Sequence, residues 1–260
     1  MAPIIETRGL TKSYGHFDAL QGLDISVPEG SVFALLGASG AGKTTAIKIL
    51  LNVISPTRGE ATVLGVESRA LGPEVLSKIG YVSENQALPA RLRVDEFFDY
   101  LRPCYAQWDL TLEQDLRGQL CLPSKRRIGE LSHGMRLKMA LACALPFHPQ
   151  LLVLDEPLSG LDALARDEII GGFLQQARSM TVLISSHELD EVERFATHVA
   201  FLHEGRLLFR GSLTELSEHA RPLFPATAQT GAERPSLRDI FVALVRAARQ
   251  KAVPVAEQTR

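Results

Sequence analysis

The chain has 260 residues, of which 45% are hydrophobic and 22% charged, a composition typical of a folded soluble protein with one substantial core and room for a smaller lobe. Its formal net charge of −2 does not support a nucleic-acid binder, because that class usually carries a basic surplus, so we expect no nucleic-acid partner. The three cysteines are widely spaced without a CxxC pair, which argues against a disulfide framework or a zinc site and favours a reducing compartment.

The start of the chain lacks the features of a secreted protein. Met1–Leu10 has neither a charged leader nor an apolar stretch, so no signal peptide is expected. No window reaches the roughly 18 uninterrupted apolar residues of a membrane span; the nearest approach, Leu137–Phe147, contains Lys138 and Pro146. These features predict a cytoplasmic protein unless a partner holds it at a membrane.

Short apolar runs separated by glycine and proline predict a set of β-strands. Leu151–Leu154 and Thr181–Ser185 are largely apolar, which is typical of central strands in a parallel sheet. Val199–Leu202 and Arg206–Phe209 flank a Glu-Gly pair and predict a hairpin. The remaining predicted strands are Ile4–Leu10, Leu23–Val27, Ser31–Leu36 and Ile79–Ser83.

Helical patterns lie between and after these strands. They cover Lys43–Leu51, then Val94 to about Pro146 with breaks at proline and glycine, and roughly Ala163–Arg178. Arg221–Pro235 is rich in Pro, Ala and Thr, which predicts a linker. Beyond it an apolar stripe at helical spacing predicts a helix that packs on its own domain rather than on a partner. The stripe consists of Leu237, Ile240, Phe241, Leu244, Val245 and Ala248.

Gly37–Thr44, with the sequence GASGAGKT, fits the pattern G-x-x-x-x-G-K-[ST] between a predicted strand and a predicted helix. We call it the phosphate loop, because its glycines let successive backbone N–H groups face a phosphate near the positive end of the helix. Lys43 is expected to reach the β- and γ-phosphates, and the Thr44 hydroxyl to bind Mg²⁺. The alternative, a glycine-rich turn with a chance lysine, fits the strand–loop–helix context poorly. The expected phosphate-binding residues are Gly37, Ala38, Ser39, Gly40, Ala41, Gly42, Lys43, Thr44 and Thr45.

Two carboxylates follow the apolar run Leu151–Leu154, at the strand end where open α/β sheets bind ligands. Asp155 suits Mg²⁺ coordination, in part through water. Glu156 is placed to polarise a water molecule for attack on the γ-phosphate. A solvated acidic turn is the alternative for an isolated Asp-Glu pair, but the phosphate loop makes the catalytic interpretation the stronger one.

With these two motifs and four further elements in the same order, the sequence resembles the nucleotide-binding subunits of ABC transporters from about Ile5 to Arg249. Leu131–Met135 (LSHGM) resembles the family signature, usually LSGGQ, and Ser159–Asp162 matches its D-loop. His187 matches the switch histidine, and Tyr14 lies where the family has an adenine-stacking aromatic residue. An isolated tyrosine is more often simply packed, but stacking on adenine is the favoured interpretation here.

The resemblance implies an α/β fold: a P-loop ABC ATPase core with a mixed sheet, an N-terminal antiparallel β subdomain and an inserted α-helical subdomain. The implied ATPase domain covers residues 1–220 with the insertion at about 85–148. A linker at 221–235, a C-terminal amphipathic helix at 236–251 and a tail at 252–260 follow.

The resemblance also assigns roles to residues in the signature and around it. Ser132 can cap the helix that begins there and, with the Gly134 N–H, hold the γ-phosphate of an ATP bound to the other protomer. Asp162 would communicate across that dimer interface, and His187 would hydrogen-bond the γ-phosphate and the attacking water.

Three positions depart from the family pattern. The signature has His133 and Met135 in place of Gly and Gln. Glu84 stands where most relatives have the Q-loop glutamine, although Asn85 and Gln86 follow directly and either of them is an alternative. A glutamate remains an oxygen ligand for Mg²⁺ or water. The Glu-bearing segment together with the Leu-Ser-x-Gly-Met signature resembles the bacterial branch that pairs with six-helix export permeases.

These features predict an ATP-hydrolysing subunit that dimerises, as a homodimer or heterodimer, around two MgATP and drives substrate movement through a separate transmembrane permease. Such a subunit would lie on the cytoplasmic face of the inner (plasma) membrane. A soluble ABC ATPase of the repair or translation type is the alternative, but those usually carry long coiled-coil insertions or two cassettes. An ATP sensor without turnover is disfavoured by the presence of Glu156 and His187.

Overall fold

The structure, a computed structural model, describes residues 2–84, 86–162, 166–168, 170, 180–224 and 235–252. The strands are β1 (Ile5–Tyr14), β2 (Phe17–Leu23), β3 (Ser26–Val27), β4 (Val32–Leu36), β5 (Arg58–Val63), β6 (Val66–Glu67), β7 (Ile79–Ser83), β8 (Leu151–Asp155), β9 (Thr181–Ser186), β10 (His198–His203) and β11 (Arg206–Ser212). The α-helices are α1 (Lys43–Leu50), α2 (Pro73–Leu76), α3 (Val94–Leu101), α4 (Leu110–Gln119), α5 (His133–Ala144), α6 (Leu189–Val192), α7 (Leu213–Ala220) and α8 (Leu237–Ala252). Short 3₁₀ helices lie at Ser68–Ala70, Arg102–Cys104, Ile128–Glu130 and Arg221–Leu223.

A mixed sheet in the order β11-β10-β4-β9-β8-β7 forms the centre of the molecule. Its neighbouring strands are parallel except β10 and β11, the predicted hairpin, which pair antiparallel. The register places Leu36 beside Ser186, and Asp155 beside both Ser185 and Ser83. The carboxyl ends of β4, β7, β8 and β9 therefore meet at one edge, which is where open α/β sheets bind ligands.

The N-terminal part of the chain forms a second, antiparallel sheet in the order β2-β1-β5-β6, with β3 also paired to β1. The prediction of one strand over Leu23–Val27 is wrong. β2 ends at Leu23, and the chain re-pairs with an earlier part of β1 from Ser26 onward. At this break the Asp24 carboxylate accepts a hydrogen bond from the Gly9 N–H (2.5 Å). The alternating apolar pattern of Leu23–Val27 gives no sign of the break.

The core lies on both faces of the mixed sheet, because side chains alternate along each strand. Val32, Ala34 and Leu36 of β4 belong to one buried cluster, together with residues of α3, α5 and α8. Phe33 and Leu35 belong to a second cluster, which contains α1 and the antiparallel sheet. The expected combination of mixed sheet, antiparallel β subdomain and helical insertion is confirmed.

The helical insertion follows β7 and contains α3, α4 and α5. Glu113 of α4 lies at its centre with 1% of its side chain exposed and is bound by two arginines. Arg102 donates two hydrogen bonds of 2.7 Å, Arg117 donates one of 2.9 Å and the Trp108 indole N–H donates another of 2.9 Å. Burial alone would raise the pKa of Glu113, but these donors outweigh it and lower the pKa to about 2.

The last described helix, α8, packs onto the mixed-sheet core. Leu237, Ile240 and Leu244 are buried in the first cluster, and Phe241 packs against Phe201 of β10 with ring centroids 5.3 Å apart. Within the described ranges, none of the helices combines the length and hydropathy that crossing a membrane requires. Most of the predicted helix Ala163–Arg178, residues 225–234 of the linker, residues 253–260 of the tail and Asn85 lie outside the described residues.

Candidate nucleotide-binding site

A cavity of about 390 Å³ opens at the edge where the parallel strands end. The predicted site residues that line it are Tyr14, Ser39, Gly40, Ala41, Gly42, Lys43, Thr44, Thr45, Glu84, Glu156 and His187. Three lining residues that the sequence did not single out as ligands are Phe17, Ala19 and Ser159. The strand register therefore brings the phosphate loop, both strand-end carboxylate regions and the switch histidine to one place.

Glycines shape the phosphate loop by allowing close approach of other backbone. A Cβ on Gly37 would lie 2.2 Å from the Leu202 carbonyl oxygen, and one on Gly42 would lie 2.3 Å from the Ala19 carbonyl oxygen. Gly42 also has φ = 104°, a conformation that strongly favours glycine. The loop can therefore approach its neighbours only with hydrogen at these two positions.

Not every backbone N–H group of the phosphate loop is free to face a ligand in this structure, because those of Gly37 and Ala41 have partners within the chain. The Gly37 N–H donates to the Ser186 carbonyl (3.3 Å), and the Ala41 N–H donates to the Ala38 carbonyl (3.1 Å). Gly37 and Ala38 do not line the cavity; their carbonyls instead accept hydrogen bonds from Lys43, of 2.7 and 3.1 Å. These two residues support the loop from behind.

Lys43 is the buried cation of the site, with 4% of its side chain exposed. Its ammonium group lies 2.9 Å from Glu156 Oε1, in addition to the two loop carbonyls. A buried ammonium group needs such partners, because losing hydration without replacement is costly. A phosphate that entered the cavity would replace Glu156 as the anionic partner of Lys43.

Asp155 is 5% exposed and is not among the residues that line the cavity; two hydroxyl groups hold its carboxylate. Ser185 Oγ donates to its Oδ1 at 2.6 Å, and Thr44 Oγ1 donates to the same oxygen at 3.1 Å. Ser185 also accepts from the Glu156 N–H (3.0 Å), so it orients both carboxylate residues. The role of Ser185 was not predicted; the only signal was a hydroxyl at the end of an apolar strand.

The oxygen donors around Asp155 fit the preference of Mg²⁺, which usually takes one or two protein carboxylates and completes its shell with phosphates and water. Thr44 and Asp155 are in mutual contact, and Glu84 lines the same cavity. Among the described residues there is no cluster of three or more His, Cys, Asp or Glu that could form an all-protein metal cage. The oxygen atoms of Thr44 and Asp155 would fit a Mg²⁺ ion that also binds phosphate oxygens.

Glu156 adopts a left-handed backbone conformation, φ = 53°, directly after β8. This conformation is uncommon outside glycine and marks a turn that the surrounding structure must hold in place. The second carboxylate oxygen, Oε2, accepts from His187 Nδ1 (2.7 Å) and from the His187 backbone N–H (3.2 Å). A carboxylate only accepts, so Nδ1 carries the proton in this contact.

Two exposed aromatic side chains form the outer end of the cavity. Tyr14 is 51% exposed and Phe17 is 62% exposed, and they face each other across the β1–β2 turn. The Lys12 ammonium group lies 5.0 Å from the centre of the Tyr14 ring, so one face of the ring already has a cation near it. The sequence pattern identified Tyr14 but missed Phe17, although the short turn at Gly15 would have placed them opposite each other.

Of the two Q-loop candidates that the structure describes, Glu84 and Gln86, only Glu84 lies at the cavity. Glu84 lines the cavity, and its backbone N–H donates to the Asp155 carbonyl (3.0 Å). Gln86 is not among the lining residues, and its side-chain oxygen is buried without a hydrogen-bond partner in the described part of the chain.

The signature residues lie outside this cavity. Ser132 caps α5 as expected, with its Oγ accepting from the Met135 N–H (3.2 Å), and neither Ser132 nor Gly134 lines the phosphate-loop cavity. Met135 packs against the core, so the family glutamine is replaced here by an apolar contact. Within one chain, Ser132 and Gly134 of the signature therefore do not line the cavity that the phosphate loop lines.

Comparison with known proteins identifies the family. The sequence profile of the family described as ABC transporter matches residues 20–159, more than half of the chain. The chain belongs to the ABC transporter family. This ABC ATPase is 35% identical to the bacitracin transport ATP-binding protein BcrA of Bacillus licheniformis, over 80% of this chain and 69% of that protein.

Solved structures of ABC ATPases share the fold. The structure described as the ATP-binding subunit of an ABC transporter aligns with a TM-score of 0.78 at 26% identity, covering 93% of this chain and 99% of that one. The dimeric post-hydrolysis structure of the ATP-binding cassette MJ0796, bound to ADP and Pi, aligns with a TM-score of 0.70 at 23% identity, over 80% and 98% of the two chains. At that identity the second likeness shows the fold alone.

The family settles the general activity of this ABC ATPase. It binds and hydrolyses ATP and acts as the energy-supplying subunit of a transporter. The predicted family, fold class and enzyme class are thereby confirmed, and the soluble repair or translation type is not favoured. The roles of individual residues rest on the geometry described above.

Proposed function

We propose that two copies of this ABC ATPase, or one copy and a related subunit, close around two MgATP molecules and reopen after hydrolysis. The observation that carries this proposal is the position of the signature segment, Leu131–Met135, outside the cavity of its own chain. The N-terminus of α5, capped by Ser132, presents backbone N–H groups of the kind that bind anions. A second copy would supply the phosphate that these groups hold.

Within one chain, the residues of the cavity divide the work of binding ATP. Tyr14 stacks on the adenine, with Phe17 as a second apolar surface beside it. The phosphate loop and the N-terminus of α1 bind the phosphates. The ammonium group of Lys43 leaves Glu156 and pairs with the β- and γ-phosphates instead. The ion pair with Glu156 compensates the charge of the buried lysine.

Magnesium would be held by Thr44 and Asp155, with Glu84 as an additional oxygen ligand directly or through water. A Mg²⁺ ion held there would offset negative charge on the phosphates during phosphoryl transfer. Ser185 keeps the Asp155 carboxylate oriented for this contact.

Glu156 acts as the general base for the attacking water, and His187 holds the Glu156 carboxylate in position. Once Lys43 contacts phosphate, Glu156 Oε1 is free to accept a proton, while Oε2 keeps its hydrogen bonds from His187. The Nε2 atom of His187 would then accept a hydrogen bond from the attacking water, and it would donate to the γ-phosphate only in the imidazolium form, in which both ring nitrogens carry a proton. Asp162, at the end of the D-loop, would face the partner subunit.

Transport requires a transmembrane permease, which this ABC ATPase engages from the cytoplasmic face of the inner (plasma) membrane. The helical insertion, with Glu84 at its start, would transmit closure of the dimer to the permease. The Leu-Ser-x-Gly-Met signature favours an export-type system, and the relative BcrA is a bacitracin transport ATP-binding protein. The ATPase domain is proposed to end near residue 220.

Phosphate release and sedimentation with the purified chain test this function. The wild-type protein should release phosphate from MgATP, and a Glu156→Gln variant should sediment as a dimer with MgATP but as a monomer with MgADP. A Glu156→Gln variant that stays monomeric with saturating MgATP at high protein concentration would contradict the proposed closure.

A further inference from the structure

The third residue of the signature segment, His133, makes a contact that glycine at this position cannot make. His133 is the first residue of α5, directly after the Ser132 cap, and its side chain is half-buried. Its Nε2 atom lies 3.2 Å from the carbonyl oxygen of Ser159. Because a carbonyl only accepts, Nε2 carries the proton, in the neutral tautomer and in the imidazolium alike.

Ser159 in turn connects this contact to the candidate catalytic carboxylate. Its backbone N–H donates to the Glu156 carbonyl (3.3 Å), closing a four-residue turn. Ser159 also lines the nucleotide cavity of its own chain. A continuous set of hydrogen bonds therefore runs from the signature helix through Ser159 to the left-handed turn that presents Glu156.

The D-loop, Ser159–Asp162, is shaped to receive the imidazole ring. Gly160 has φ = 67°, and a Cβ at Gly160 would lie 3.8 Å from the His133 ring, an ordinary van der Waals separation. The ring therefore lies beside Gly160, while its Nε2 atom donates to the carbonyl of the preceding residue, Ser159.

We infer that His133 is a positioning residue that ties the signature segment to the D-loop of the same chain. This inference rests on the proposed function, in which the signature serves the ATP of the partner subunit while Ser159 borders the chain's own ATP. The His133–Ser159 bond then keeps the two ATP sites of the dimer in a fixed relation. Hydrolysis at one site would be sensed at the other through this contact.

Two variants separate a hydrogen-bonding role from simple space filling. His133→Gln places an amide N–H at about the distance of Nε2 from the backbone, whereas the shorter amide of His133→Asn does not reach Ser159. Both replacements are polar and uncharged, and they differ in how far the amide group reaches from the backbone. If His133 only filled space beside the D-loop, both replacements would have equal effects.

Hydrogen–deuterium exchange of the nucleotide-free protein tests the contact itself, independently of any activity. A net hydrogen bond corresponds to about a twofold to tenfold change in an equilibrium. The backbone amides of Ser159–Asp162 should therefore exchange about twofold to tenfold faster in His133→Asn than in the wild type, and at the wild-type rate in His133→Gln. Equal exchange in all three proteins would overturn the inference.

Steady-state ATP hydrolysis tests the consequence. His133→Asn should lower kcat by about threefold to tenfold with KM changed less than twofold, because each chain's own cavity stays intact, and His133→Gln should restore kcat. An unchanged kcat in His133→Asn, with wild-type protein active, overturns the positioning role. A wild-type protein that hydrolyses no ATP contradicts the proposed function instead, and the exchange result still decides whether the contact exists.

Discussion

Two carboxylates, Glu113 in the helical insertion and Glu156 at the end of β8, are both largely buried and both paired with cations, yet only one lies at a cavity. Glu113 is 1% exposed, and both of its oxygens are saturated by Arg102, Arg117 and Trp108. Glu156 is 15% exposed and shares its oxygens between Lys43 and His187, at the wall of the nucleotide cavity.

The difference shows that burial and ion pairing do not by themselves identify a functional acid. Glu113 has no position from which a ligand could reach it, so its interactions contribute to stability. Glu156 has one partner, Lys43, that a phosphate can take over, so its interactions can be exchanged during function. Changes around Glu113 should therefore affect folding, and changes around Glu156 should affect nucleotide chemistry.

The largest expected effect is at the cation of the Glu156 pair. Lys43→Ala should abolish measurable MgATP binding, because the phosphates lose the buried ammonium group that lies 2.9 Å from Glu156. Isothermal titration calorimetry measures this directly. Lys48→Ala, on the exposed face in the last turn of the same helix, is the matched control and should bind like the wild type. Near-wild-type affinity in Lys43→Ala would refute the site.

The next effect concerns the stability contributed by Glu113. Glu113→Gln should lower the free energy of unfolding at pH 7 by about 3 kcal/mol, because the buried carboxylate loses its charge and with it the ion pairs to two half-buried arginines. Urea denaturation measures the change. MgATP affinity should stay at the wild-type value under conditions where the variant is folded, and a loss of affinity without a loss of stability would reverse the assignment of Glu113.

The same carboxylate also predicts a pH dependence. The folded protein lowers the pKa of Glu113 from 4.5 to about 2, so its stabilisation is complete above about pH 4.5 and is lost as the pH falls toward 2. The difference in stability between wild type and Glu113→Gln should therefore shrink over that range. A difference that stays constant from pH 6 to pH 3 would show that the carboxylate charge is not responsible.

Glu156→Gln should slow hydrolysis at least 10²-fold, about 2.7 kcal/mol, which is the lower end of what a general base contributes. ATP binding should be retained, since the amide keeps the shape of the side chain and Lys43 turns to the phosphate. Single-turnover hydrolysis and nucleotide binding, measured on the same preparation, separate these quantities. A decrease of less than tenfold would remove Glu156 as the base.

The smallest effect is expected at the outer end of the cavity. Tyr14→Ala should weaken ATP binding by about 1–3 kcal/mol, the usual contribution of base–aromatic stacking, while Tyr14→Phe should change it little. Fluorescence titration with an ATP analogue measures both variants. Equal losses in the two would show that the ring does not stack and that the hydroxyl group matters instead.

The contrast between the two carboxylates also explains what the sequence could predict. Glu156 follows a four-residue apolar strand and accompanies a phosphate loop, so a local pattern identifies it. Glu113 depends on Arg102 and Trp108, whose contacts with it arise from the packing of the insertion and follow no motif. Local motifs therefore predicted the site, while the supporting contacts required the three-dimensional structure.

The same reasoning applies to the fold. The central strands and the β10–β11 hairpin were predictable because their apolar runs and turn residues are local signals. The break between Leu23 and Ser26 was not, because it depends on Asp24 reaching Gly9 across the sheet. The Ser159–His133 contact likewise joins segments that are far apart in the chain.

Complementation between two inactive variants tests the central claim, that each ATP site combines the phosphate loop of one chain with the signature of another. Lys43→Ala leaves the signature intact, and Ser132→Arg leaves the phosphate loop intact, so a heterodimer of the two contains one complete site. Neither variant alone contains any. A mixture should therefore recover part of the wild-type ATPase activity and form ATP-dependent heterodimers. If the mixture shows neither while the wild type shows both, the signature acts within its own chain and the composite site is refuted.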